Sequence, residues 1–249
     1  MRFRFFVLKV VAIFLLCSVF SSFIIAEEKV DLTIGIMNFP PFSNVNEKDD
    51  PTGVFIDMME LSLTKAGITH SKIKGYPPKR HYSYLGSGET QFSIGSKNVP
   101  YYHESVIYSK MPAHTVECYV MSLPDQPLPP QDPKEWKGKV ILMTGYDYGR
   151  LRNGLEKLET AGQLQLINAP AHINLMKMLK AKRGDYALDY AGPTEKALEV
   201  VDIPNIQKRT VFAVDLFFML NKNIPNASGL MDRIEKAFLD LKAEGKFEQ

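Results

Sequence analysis

Phe39 and Phe42, in the run Phe39-Pro40-Pro41-Phe42, close an apolar segment that begins at Leu32. Rings left beside a strand end suit a ligand wall and not a reaction. Ligand crevices in open α/β sheets lie outside the carboxyl ends of strands, and flat aromatic surfaces hold apolar or planar solutes at little entropy cost. The same two rings would serve equally to seal the bottom of a core. A second candidate is the turn Gly145-Tyr146-Asp147-Tyr148-Gly149. A helix starting there offers free N–H groups and a positive end to an anion, and Tyr146 and Tyr148 add aromatic surface. Patterns for covalent or metal chemistry do not occur. His70, His81, His103, His114 and His172 show no His-x-x-x-His pairing, Gly86-Ser87-Gly88 lacks the spacing of a nucleophile elbow, and no phosphate loop or dinucleotide fingerprint is found. The expectation is a binding protein without catalytic residues, metal or cofactor.

The elements that must position these residues follow from periodicity. After the first strand and a loop at 44–52, Phe55, Met59, Leu63 and Ala66 fall on one face at helical spacing, with Gly67 as the stop. A second helix is predicted over 79–85, a short strand over 91–95 and a longer strand over 115–123. Five prolines follow within ten residues, from Pro124 to Pro133, and mark a boundary between lobes. Strand and helix then alternate: strand 139–143, a helix through Leu151, Leu155 and Leu158, strand 164–167, a helix through Ile173, Met176 and Leu179, strand 185–189 and helix 193–201. These βα units imply a mostly parallel sheet wrapped in helices. A long apolar strand over 210–220 and a last helix carrying Leu230, Ile234, Ala237 and Leu241, with Asn226 or Ser228 as its N-cap, complete the chain.

The first 26 residues carry Arg2, Arg4 and Lys9, then an apolar run from Val10 to Ile25, and end in Ala26. This reads as a cleavable signal peptide, because the run is shorter than the ~20 apolar residues of a spanning helix. Its removal takes away three positive charges and no negative one, so the formal +2 becomes −1. The basic character belongs to the leader, which removes the electrostatic case for nucleic-acid binding. The remaining chain keeps one cysteine, Cys118, so no internal disulfide forms. With 45% hydrophobic and 23% charged residues the composition is that of a globular protein. The mature length suffices for one large domain or two lobes of ~100 residues.

Phe39-Pro-Pro-Phe42 after strand one, Thr52-Gly53-Val54-Phe55-Ile56-Asp57 opening helix one, Pro100 to Tyr108-Ser109 near the first crossover, Trp136-Lys-Gly-Lys-Val140 and the closing Leu241-Lys-Ala-Glu-Gly-Lys-Phe247 together resemble the bacterial family 3 solute-binding proteins. The resemblance implies a two-lobed α/β fold of periplasmic binding protein type II, with residues 27–118 and 212–249 in one lobe and 119–211 in the other. Two crossover strands would join lobes that close on a small polar or aromatic, amino-acid-like solute. It implies a periplasmic monomer that delivers this solute to an ABC permease. The alternatives are a periplasmic sensor working with a membrane partner, and a secreted dehydratase using Glu104 or Asp189 as general acid.

The same resemblance assigns site residues. Amino-acid binders of the family use a Thr-Pro-Glu-Arg segment to hold the ligand carboxylate; here the stretch reads Val99-Pro100-Tyr101-Tyr102. Tyr102 therefore stands in the arginine position, and a phenol cannot reproduce a bidentate guanidinium. The aspartate that receives the ligand ammonium falls at Tyr190, or at Asp189 one residue earlier. Neighbours on a strand face opposite ways, so Asp189 serves only where the alternation has stopped. Broader members of the superfamily imply a cleft-facing Arg80. Lys97 and Asn98 follow the strand at 91–95 and take the cleft-facing end.

Overall fold

The computed structural model describes residues 31–45, 50–97 and 99–247; the leader at residues 1–26 and Asn98 lie outside them. The segment from Leu32 forms two short strands, β1 (Asp31–Leu32) and β2 (Gly35–Met37). Leu32, Ile34 and Ile36 are buried, the period of two expected of a strand packed on one face. The proline turn is then locked by backbone. Phe39 and Ser43 exchange hydrogen bonds of 2.8 and 3.0 Å, and the Phe55 N–H donates to the Phe42 carbonyl at 2.9 Å. Gly53 permits that approach, since at its φ of 123° a Cβ would stand 2.5 Å from the Phe42 carbonyl oxygen. Helix α1 (Val54–Lys65) follows, with Phe55, Met59 and Leu63 buried.

Strands β3 (Thr69–His70) and β4 (Lys74–Tyr76) pair in parallel with β1 and β2. Helix α2 (Pro78–Ser87) buries His81, Tyr82 and Leu85, and Gly88 ends it in a left-handed conformation. The remaining strands are β5 (Phe92–Ser96), β6 (Val106–Tyr108), β7 (His114–Ser122), β8 (Gly138–Met143), β9 (Leu164–Ala169), β10 (Tyr186–Tyr190) and β11 (Gln207–Asn221). They form one sheet in the order β5-β11-β7-β10-β8-β9, with β6 also on β11.

Within that sheet β8 is parallel to β9 and β10, while β7 and β11 run antiparallel to each other and tie its two ends together. Helices α3 (Gly149–Thr160), α4 (His172–Lys180) and α5 (Ala191–Leu198) each follow a strand of the parallel end, as successive βα units require. The last six residues of β11 are all buried, whereas its first nine are exposed or half-buried. The ladder between β7 and β11 breaks register between Thr210 and Phe212. Helix α6 (Ala227–Ala243) then buries Leu230, Ile234, Phe238 and Leu241 and packs against α1.

Two expectations are refined. Asn226 precedes α6, yet its side chain makes no capping hydrogen bond. The proline stretch is irregular apart from one 3-10 turn at Pro133–Glu135; it wraps the fully buried Trp136, whose Nε1–H donates to the Pro130 carbonyl at 2.8 Å. None of the helices among the described residues is long and apolar enough to cross a membrane.

Candidate functional site

A cleft lies where the proline turn, α2, β5 and the crossover strands meet the loop after β8 and the end of β10. One side is built by Met37, Phe39, Phe55, His81, Tyr82, Ser96 and Tyr102, and the other by Tyr146, Asp147 and Tyr190. Phe39 is 4% exposed and meets Tyr190 edge-on at 5.3 Å and Tyr146 at 6.2 Å between ring centres. Phe39 therefore lines the cleft while most of its ring is packed against other side chains.

Tyr102 lines the cleft, and its hydroxyl donates to the Ser96 carbonyl at 2.9 Å. Gly86 supports it from behind: a Cβ there would be 2.2 Å from the Tyr101 carbonyl oxygen, so the turn carrying Tyr102 sits directly on α2. The Tyr146 hydroxyl donates across the cleft to the Asn38 carbonyl and stands 3.1 Å from His172 Nε2. Tyr190 donates to the Asp147 carbonyl at 2.7 Å. Burial pushes the phenols of Tyr82, Tyr102, Tyr146 and Tyr190 upward, with Asp147 or Asp189 adding to the effect, so all four stay neutral at physiological pH.

The strand alternation on β10 continues to its end. Tyr190 faces the cleft while Asp189 points to the opposite face, fully buried, where His172 Nδ1 donates to Oδ2 at 2.7 Å and the Tyr190 N–H donates to Oδ1 at 2.8 Å. Asp189 therefore holds His172, and through it the Tyr146 hydroxyl, instead of lining the cleft. Tyr148 also stands behind the lining. Its hydroxyl accepts from Met143 N–H at 3.0 Å and donates to the Leu188 carbonyl at 3.1 Å, and its ring stacks on Tyr190 at 5.7 Å.

Three further candidates lie off the cleft surface. Phe42 is stacked on Phe55 at 5.0 Å and meets His114 at a tilt of 55° with 4.8 Å between ring centres. Arg80 is exposed, because the buried stripe of α2 runs through His81, Tyr82 and Leu85 and leaves position 80 outside. Lys97 is exposed with its ammonium 3.7 Å from the Phe217 ring centre.

Residues that sequence reasoning passed over complete the site: Tyr82, His81 and Asp147. The stripe of α2 was the signal for the first two. His81 is 2% exposed, and burial lowers its pKa to about 4. The Ser93 hydroxyl donates to the Gly35 carbonyl at 2.8 Å, so at 3.2 Å from His81 Nε2 it can only accept. Nε2 thus carries the proton, and the lone pair is on Nδ1, a buried atom without a hydrogen-bond partner. Asp147 is half-buried, and one of its oxygens accepts from the Gly149 N–H at 2.8 Å.

No protein-family model and no curated protein matches the chain by sequence. Solved structures match over 88% of it. A histidine kinase sensor domain with similarity to periplasmic binding proteins superposes with a TM-score of 0.70 at 18% identity over 93% of its own length. The substrate-binding protein of an amino acid ABC transporter gives 0.65 at 17% over 96%. An ancestral amino-acid-binding protein, a precursor of cyclohexadienyl dehydratase, gives 0.64 at 16% over 92%. These likenesses establish the fold, a two-lobed α/β architecture with the cleft between its halves.

Proposed function

We propose that this chain, a divergent sequence on the fold of the periplasmic binding proteins, is a solute-binding protein that encloses a small, amino-acid-sized molecule in the cleft. The observation that carries this reading is the cleft itself: residues from both ends of the sheet line it, and the Tyr146 bond to Asn38 together with the Phe39–Tyr190 contact bridges it. The lobes are residues 27–118 with 212–249, and 119–211. The break in register at Thr210 and Phe212, opposite Tyr119 and Cys118, supports a hinge at that boundary, because a bulge is where a strand pair bends. Closure then buries most of the solute surface, linking affinity to lobe position.

The leader at residues 1–26 supports export to the periplasm, and likeness to a transporter's substrate-binding protein supports delivery of the solute to a permease. The likeness to a kinase sensor domain favours a second reading, in which the closed form signals to a membrane partner. Binding without catalysis is supported by the acids: Glu104 is 86% exposed and outside the lining, and both Asp189 oxygens are engaged behind it. The test is calorimetry and small-angle scattering of the mature chain against a metabolite panel. Expected are a binding solute recovered unchanged, compaction on binding, and loss of binding in Ser96→Trp, which fills the cleft from the end of β5. Conversion of the solute, or full binding by a folded Ser96→Trp protein, would overturn the reading. Co-purification with a permease or with a kinase separates delivery from sensing.

A further inference from the structure

The cleft has an unusual inventory of charge and hydrogen-bonding groups. Among the described lining residues there is one carboxylate, Asp147, and no lysine or arginine. The imidazole of His81 presents an unpartnered lone pair and no positive charge, since Nε2–H is committed to Ser93 and burial favours the neutral ring. The hydroxyl protons of Tyr102 and Tyr190 are committed to the carbonyls of Ser96 and Asp147, and the single proton of Tyr146 is held between the Asn38 carbonyl and His172 Nε2. The Tyr82 and Ser96 hydroxyls, also in the lining, have no such acceptor among the described residues. In charged groups the described lining therefore offers one carboxylate and no lysine or arginine, beside neutral hydroxyls and aromatic faces.

A solute carboxylate entering such a cleft meets no lysine or arginine in the described lining, and it faces the charge of Asp147. A protonated amine meets the opposite situation. Asp147 keeps one oxygen clear of the Gly149 bond, the tyrosine rings attract a cation through their faces, and His81 Nδ1 needs a donor. A buried acceptor without a partner is costly until a ligand supplies the proton.

We propose, resting on the solute-binding reading, that the solute is a small organic amine without a carboxylate. Its ammonium pairs with Asp147, its apolar or aromatic body lies against Phe39, Tyr82, Tyr102 and Tyr190, and a donor group of the solute bonds to His81 Nδ1. Specificity against amino acids comes from the missing lysine or arginine: the α-carboxylate has no cation in the lining to pair with and is repelled by Asp147.

Matched probes test this by calorimetry on the mature chain: phenethylamine, tyramine and tryptamine, each against its parent amino acid, with phenylacetate as the anionic control and putrescine as an aliphatic amine. At least one amine is expected to bind ten times or more tighter than its parent amino acid, and phenylacetate not to bind. Asp147→Asn keeps an acceptor for the Gly149 N–H and leaves the carbonyl used by Tyr190, so the fold is retained. It should weaken the amine at least tenfold and narrow its preference over the amino acid. Amino acids binding as tightly as the amines, with binding lost in Ser96→Trp, would sink the amine assignment and leave the solute-binding reading intact. Unchanged amine affinity in Asp147→Asn, or no binding by any amine, also overturns the assignment, and the metabolite panel then decides the solute-binding reading separately.

Discussion

Tyr148 shows how the lining depends on residues that stand behind it. Its hydroxyl is the partner of both the Met143 N–H and the Leu188 carbonyl, in a fully buried place where water cannot substitute. Tyr148→Phe keeps the ring stacked on Tyr190 but strands both backbone groups, and should cost about 1–3 kcal/mol; urea unfolding of the two proteins measures it. Tyr146 and Tyr148 were both legible in the sequence as aromatic surface on one turn. Their division of labour was not, because it depends on which carbonyls other segments bring within reach: Asn38 for one and Leu188 for the other. Arg80 shows the opposite limit. A cation at a helix start is visible in the sequence, but the turn of α2 that buries His81 and Tyr82 leaves it on the outside.

Helix α5 meets the proline turn through a glycine. A Cβ at Gly192 would stand 2.3 Å from the Phe42 ring and 3.1 Å from Pro41, so the two halves of the molecule approach each other there at backbone distance. Phe42 is itself wedged between Phe55 and His114 and has little room to yield. Gly192→Ala should therefore oppose the closed arrangement by about 1–3 kcal/mol, weakening solute affinity about tenfold or more while the ellipticity of the free protein is unchanged. Titration calorimetry with scattering checks it; normal affinity with normal compaction would show that this contact plays no part in closure. Most elements themselves were legible, since α1, α3, α4 and α6 follow from spacing alone. β1 and β2 differ from the single expected strand because pairing partners are short: β3 offers only two residues and β4 three.

Stability across pH follows from the buried histidines. His81 falls from its ordinary 6.5 to about 4 because burial disfavours its charged form. The unfolded chain thus binds a proton between pH 6.5 and 4 that the folded chain refuses. The stabilisation is present above 6.5 and is lost as pH falls to about 4, a change of about 3 kcal/mol. His114 is lowered too, by burial and then by Lys242, and acts in the same direction. Denaturation midpoints from pH 7.5 to 4 should fall in the wild type, and His81→Gln should flatten the slope; parallel curves for the two proteins would contradict this. By itself the sequence determined the alternation of strands and helices, the aromatic turn at Phe39, and a formal charge of −1 for residues 27–249 against +2 for the whole chain, because these depend on local spacing and on composition. Only the tertiary structure decided that Tyr190 faces the cleft and Asp189 turns away to His172, and that His81 and Asp147, on distant segments, line one cleft whose described lining holds no lysine or arginine. Burial, strand phase and hydrogen-bond partnership are properties of assembled surfaces, and no stretch of sequence carries them alone.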